Sequence, residues 1–222
     1  MRSRIKYFVT AVILVGMLSP AANISAQVAN NEIQKKSNMS EESAVEGPLE
    51  RIKEFVEYMK MYKDESKIKL TDAEKKKNQE VLDKISSILD VPAMAKSALG
   101  TYINKVSSVK INKYVTLMQK LVEKIAYPAS SEYFNEIIIQ YKSVKKIDDT
   151  HALVDTVIID EKEDFDIDIT YKMFKSDTGW KIIDVITDGD SLVLNYKNQF
   201  TKIIKDKGFD HLISLMDRKL KK

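Results

Sequence analysis

The 222-residue chain has no cysteine and only two histidines. Without cysteine there is no disulfide framework, no thiolate metal ligand and no thiol nucleophile. His151 and His211 alone, with no thiolate to join them, are too few for a dedicated zinc site, so no metal is expected. Glycine is scarce too: no two of the six lie within eight residues of each other, which excludes the clustered glycines that cradle phosphates. Arginine occurs only at positions 2, 4, 51 and 218, leaving little for bidentate recognition of phosphate or carboxylate. Charge of one sign is missing as well. The formal net charge is +3, and the surplus is Arg2, Arg4 and Lys6, which precede the first acid, Glu32. Without residues 1–26 the chain carries 33 bases and 33 acids. A balanced chain has no general pull toward nucleic acid or an anionic membrane surface.

What is present begins with an export signal. Three positive charges are followed by the uncharged apolar run Tyr7–Leu18, twelve residues long. At about 1.5 Å per helical residue, such a run falls well short of the roughly 30 Å hydrocarbon core of a bilayer. It reads as the apolar region of a signal peptide over residues 1–26, cut after Ile24-Ser25-Ala26. The composition beyond it is that of a bacterial exported protein, and the expected compartment is the periplasm. Residues 27–47 are rich in Asn, Gln, Ser and Glu and are expected to form a flexible arm. Asn38-Met39-Ser40 matches a glycosylation acceptor but carries little weight in a bacterial chain.

From Pro48 to Lys222 the spacing predicts one domain of helices, then strands, then helices. Leu49, Ile52, Phe55, Val56 and Met59 form one helical stripe. Thr71-Asp72 starts a second helix, and Asp90 before Val91-Pro92 starts a short third one that ends at Gly100. Ser107-Ser108 opens a fourth through Tyr114 and Ile125, with Pro128 expected to close it. From Glu136 the period changes to two. Four strands are expected, the clearest alternating Phe165, Ile167, Ile169, Tyr171 and Met173 with polar neighbours. Asp188-Gly189-Asp190 is expected to end the sheet, and two amphipathic helices follow, divided at Gly208. The fold class is therefore α+β: a curved antiparallel sheet of four strands or slightly more, packed with helices from both ends of the chain and enclosing an apolar cavity.

No catalytic set emerges. Gly189-Asp190-Ser191-Leu192 spells the signature of the GDSL esterases, but only 30 residues follow it, and Gly208 stands where the acid three positions before His211 should be. A serine without a base and an oxyanion hole is not activated. Asp164, Asp166 and Asp168 resemble a calcium ladder, yet Ile169 and Lys175 occupy the positions where an EF-hand loop needs Gly and an acid. What stands out is apolar and aromatic material aimed between helices and sheet: Tyr102, Tyr114, Met118, Ile125, Ile139, Tyr141, Ile167, Ile169, Tyr171, Met173 and Trp180. The set is compatible with a filled core or with the lining of a pocket of roughly 300–1,000 Å³.

The C-terminal half carries Gly179-Trp180-Lys181-Ile182-Ile183-Asp184-Val185, then Ser191-Leu192-Val193, Asn195-Tyr196, Gln199-Phe200 and Lys207-Gly208-Phe209-Asp210. Upstream lie Asp90-Val91, Met94-Ala95, Leu99-Gly100 and Tyr102. In this order and spacing, over about residues 80–220, the chain resembles the MlaC family of periplasmic phospholipid-binding proteins, also called toluene-tolerance auxiliary proteins. The resemblance implies an MlaC-like, NTF2-related fold without a cofactor. The implied activity is to bind phospholipid by its acyl chains and carry it between an outer-membrane lipoprotein–porin complex and an inner-membrane MCE-domain ABC transporter, maintaining outer-membrane lipid asymmetry. It adds Leu121, Leu192 and Tyr196 to the expected lipid contacts and implies a monomer. Asp190 stands where relatives commonly have an apolar residue, so either its side chain turns outward or the pocket mouth differs. Two other functions fit the residues: a small enzyme using Asp155 or Asp184 inside a cone, and a structural envelope protein with a filled core. Lys75, Lys76 and Lys77 form a candidate docking patch.

Overall fold

The computed structural model describes residues 47–162 and 164–221. The expected signal peptide at 1–26, the arm except for Gly47, and Asn38 lie outside the described residues.

Helix α1 (Pro48–Met61) begins with its proline in the first turn, where a missing N–H is harmless. It buries Ile52, Phe55, Val56 and Met59 against the sheet. Helix α2 (Asp72–Ile88) is opened by a reciprocal capping box: the Thr71 hydroxyl accepts the Glu74 N–H and the Glu74 carboxylate accepts the Thr71 N–H. That backbone bond, the Thr71 hydroxyl and Lys63 hold the Glu74 carboxyl down to about 2. The chain then breaks for two residues. The Asp90 N–H bonds the carbonyl of Ile182, 2.9 Å away on the sheet, while its side chain caps helix α3 (Val91–Leu99) by accepting the Ala93 N–H.

Helix α4 (Ser108–Leu121) does not end at Pro128. It passes through one π-turn, Val122–Ala126, and resumes as α5 (Tyr127–Phe134). The π-turn interrupts the regular ladder, so Pro128 falls in the first turn of a restarted helix, where it lacks no needed bond. A helix-closing proline and a helix-restarting one look alike in sequence.

Strands β1 (Ile138–Lys146), β2 (His151–Asp160), β3 (Phe165–Ser176) and β4 (Gly179–Thr187) form an antiparallel meander with β5 (Asp190–Ser191) added at its edge. The sheet thus extends past its expected end. Asp188 and Gly189 both take positive φ, 48° and 87°, which makes the tight two-residue turn that folds Asp190 back against Thr187. Alternation along β2 buries Ala152, Val154, Thr156, Ile158 and Asp160 and leaves their neighbours half-exposed. The chain ends in α6 (Leu192–Lys207) and α7 (Phe209–Leu220).

The interior is divided. One cluster joins α1, α2 and α5 to the inner face of the sheet, from Ile52 through Ile158 to Ile182. The other is purely helical and joins α3, α4, α6 and α7 around Tyr114, Phe200 and Leu212. Leu89 and Val122 pack against both.

Candidate functional site

An apolar cavity of about 90 Å³ opens where the two clusters meet. Helix α1 contributes Phe55 and Met59, and the α2–α3 junction contributes Leu89, Val91, Met94 and Ala95. The long helix adds Met118, then Val122 and Ala126 from the π-turn, and α5 adds Tyr127, Ser130 and Phe134. Tyr171 and Val185 come from the sheet, and Leu192 and Tyr196 from α6. The cavity lies at the seam because each chain segment crossing between the clusters does so at an irregularity. The α2–α3 break presents Leu89, the π-turn presents Val122, and the β4–β5 hairpin turns the chain into Leu192.

The wall holds no Asp, Glu, Lys, Arg or His. Burial pushes the phenols of Tyr127 and Tyr171 well above their ordinary range, so both stay neutral across physiological pH. Three of the lining residues, Met59, Met94 and Met118, are thioethers, which adapt to irregular apolar shapes better than branched side chains do. Leu89, Met94, Val122, Val185 and Leu192 are half-exposed, the remaining wall being buried. Chemically, such a site can bind hydrocarbon. Each methylene buried in it gains about 0.8 kcal/mol.

Of the residues expected to line a pocket, Met118, Tyr171, Leu192 and Tyr196 are in this wall. Ile167, Ile169, Met173 and Trp180 are buried in the sheet-side cluster, with Ile139 and Tyr141 packed at its margin. Lys53 lies over the Tyr141 ring, 5.6 Å from its centroid. Tyr114 and Leu121 are fully buried in the helical cluster, where the Tyr114 hydroxyl donates to the Ala95 carbonyl at 3.1 Å; Tyr102 and Ile125 pack on its flank. Of these ten, the six on strands lie on the sheet face that α1, α2 and α5 cover, and the other four pack in or beside the helical cluster.

The rest of the lining, Leu89, Val122, Tyr127 and Ser130 among it, is not marked by the sequence. Leu89 and Val122 fit the helical stripes around them, and only the breaks beside them re-aim them into a shared gap.

The candidate acids lie outside the cavity. Asp155 is on the outer face of the sheet and accepts from the hydroxyls of Ser143 and Thr170, both at 2.7 Å. Asp184 accepts from the Ser191 hydroxyl at 2.6 Å and the Val193 N–H at 3.1 Å, so it anchors the start of α6. Ser191 itself caps that helix by accepting the Leu194 N–H at 3.0 Å. The Gly-Asp-Ser-Leu motif is thus a turn and a helix cap. Asp190 is exposed, its side chain turned outward. Asp166 and Asp168 are the exposed face of β3. His151 pairs with Asp148 at 3.0 Å, and among the described residues no group of three metal-ligating side chains comes together. Lys75, Lys76 and Lys77 are exposed on α2. No described helix is long and apolar enough to cross a membrane.

The family model described as MlaC protein matches residues 53–218. The chain belongs to the MlaC family. It is similar in fold to a phospholipid-binding protein from Ralstonia solanacearum, solved at 1.53 Å in complex with a phospholipid. The TM-score is 0.57 at 20% identity, and the match covers 77% of this chain and 92% of that one. No curated protein sequence matches. The family match begins inside α1, at Lys53, so the first helix is part of the shared fold except for its opening turn.

Proposed function

We propose that this MlaC-family chain is a periplasmic phospholipid carrier, exported by the signal peptide at residues 1–26, that holds lipid by its acyl chains in the seam cavity. It shuttles that lipid between an outer-membrane lipoprotein–porin complex and an inner-membrane MCE-domain ABC transporter, and so maintains outer-membrane lipid asymmetry. The observation that carries this reading is the cavity's wall: hydrocarbon, aromatic rings and three thioethers, without one ionisable carboxylate or base. A wall of that kind grips chains and leaves a charged headgroup in water, since burying an unpaired charge is prohibitive. The phospholipid bound by the Ralstonia solanacearum neighbour supports the same reading.

At about 90 Å³ the cavity is smaller than the roughly 300–1,000 Å³ of typical ligand sites. Acyl chains therefore enter by widening the seam, and each cluster keeps its own packing while the gap between them grows. A non-enzymatic role is supported by the engagement of Asp155 and Asp184 in structural hydrogen bonds outside the cavity wall.

The direct test is mass spectrometry of protein purified without detergent from the periplasm of a producing bacterium. Co-purified phospholipid at near one molecule per chain is expected. Protein that carries none, and that also fails to take up phospholipid from vesicles after delipidation, would overturn the proposal.

A further inference from the structure

The cavity wall holds a hydroxyl that makes no hydrogen bond among the described residues. Ser130, on α5, is 6% exposed and lines the cavity. Two other lining hydroxyls are engaged, Tyr127 with Ser86 and Tyr171 with Thr156. The neighbouring Ser131 turns back on its own helix and donates to the Pro128 carbonyl at 3.1 Å. Ser130 makes no such bond among the described residues. Buried hydroxyls are ordinarily satisfied, and one left open in an otherwise apolar wall points to an acceptor that arrives with the ligand.

The proposed cargo brings that acceptor. In a phospholipid the atoms joining the chains to the glycerol are ester groups, so chains drawn into an apolar cavity bring carbonyl oxygens with them. A buried carbonyl without a donor is penalised, and so is the open hydroxyl; together they satisfy each other. Ser130 lines the same cavity as the half-exposed Leu89, Met94 and Leu192, so a lipid seated there shares its wall with this hydroxyl.

We propose that Ser130 donates a hydrogen bond to an acyl-ester carbonyl of the bound lipid and so makes the protein selective for ester-linked over ether-linked chains. This rests on the carrier reading above. Ether lipids present the same hydrocarbon but no carbonyl, so they isolate the contribution of this one bond.

The test is a competition. Delipidated protein is offered vesicles with equal amounts of diester and diether phosphatidylcholine of one chain length, and the bound ratio is read by mass spectrometry. The wild type is expected to favour the diester about five-fold, the ratio that a net hydrogen bond of about 1 kcal/mol produces. Ser130→Ala should bring the ratio to one without loss of folding, and Ser130→Thr, which keeps the hydroxyl, should preserve the preference. Equal uptake of both lipids by the wild type overturns the role of Ser130 and leaves the carrier reading intact; a preference that survives in Ser130→Ala does the same. A wild type that takes up neither lipid overturns both.

Discussion

The two hydrophobic clusters are built on different scaffolds. The sheet-side cluster sets branched aliphatics from strands and helices alike, such as Ile158, Ile182 and Ile52, around Phe55, whose ring meets Phe134 and Tyr171 edge on at 6.2 and 6.4 Å. The helix-side cluster has no strand in it and centres on Phe200: Tyr114 meets that ring edge to face with centroids 5.8 Å apart, and Tyr196 stacks on it at 5.4 Å. Each is close-packed within itself. Between them stand rings, thioethers and the residues of two chain breaks, and there a gap survives. Packing is thus dense in the two halves and looser at their boundary, where the proposed lipid would enter.

Breaking the helix-side core should have the largest effect. Phe200→Ala removes a fully buried ring and should cost about 3–5 kcal/mol in urea unfolding. Because Tyr196 loses its stacking partner, lipid occupancy of the protein that remains folded should also fall. Ile158→Ala on the sheet side should cost somewhat less, about 2–4 kcal/mol, and leave occupancy unchanged, since Ile158 is away from the cavity. Equal effects of both substitutions on occupancy would dissolve the distinction between the clusters.

Asp184→Ala tests the link that ties the sheet to α6. It should lower stability by about 1–2 kcal/mol through loss of the bonds to Ser191 and the Val193 N–H, with no change in lipid uptake. Abolished function in a stably folded Asp184→Ala protein would instead favour the enzyme reading. The smallest effect is expected at the α2 cap, far from the seam. Thr71→Ala should cost about 1 kcal/mol near neutral pH. Glu74 has its folded value depressed from 4.5 to about 2, so its contribution is present in full above about pH 4.5 and is lost as pH falls toward 2. Acid titration of unfolding should show that loss in the wild type and a flatter profile in Thr71→Ala.

Much of this architecture was legible from residue order. The caps at Thr71 and Asp90, the stop at Gly100, the alternation from Phe165 to Met173 and the boundary at Gly208 each act within a few residues, so local chemistry decides them. The role of Pro128 does not show in the sequence, because it depends on a π-turn and a π-turn leaves no compositional mark. The fifth strand falls within the expected four or slightly more, but its place does not show in the sequence, because two residues are too few to show a period. For the site, the apolar stripes were visible but their partition was not. Tyr114 and Met118, one turn apart on α4, have different fates: Tyr114 is enclosed by Phe200 and Phe209, while Met118 faces the gap. That choice depends on how α6 and α7 sit across from α4, a long-range matter that helical spacing does not encode.

On the proposed carrier reading, the seam between the two clusters, and no other part of the described interior, receives the acyl chains. Ala95 sits in the cavity wall and is 1% exposed, so Ala95→Phe fills the gap from one side at a packing cost of about 1–3 kcal/mol. Native mass spectrometry of wild type and Ala95→Phe, purified in parallel and matched for folding by circular dichroism, counts bound phospholipid directly. Lipid is expected on the wild type and little or none on Ala95→Phe; equal occupancy of a folded Ala95→Phe protein would mean that the chains lie elsewhere.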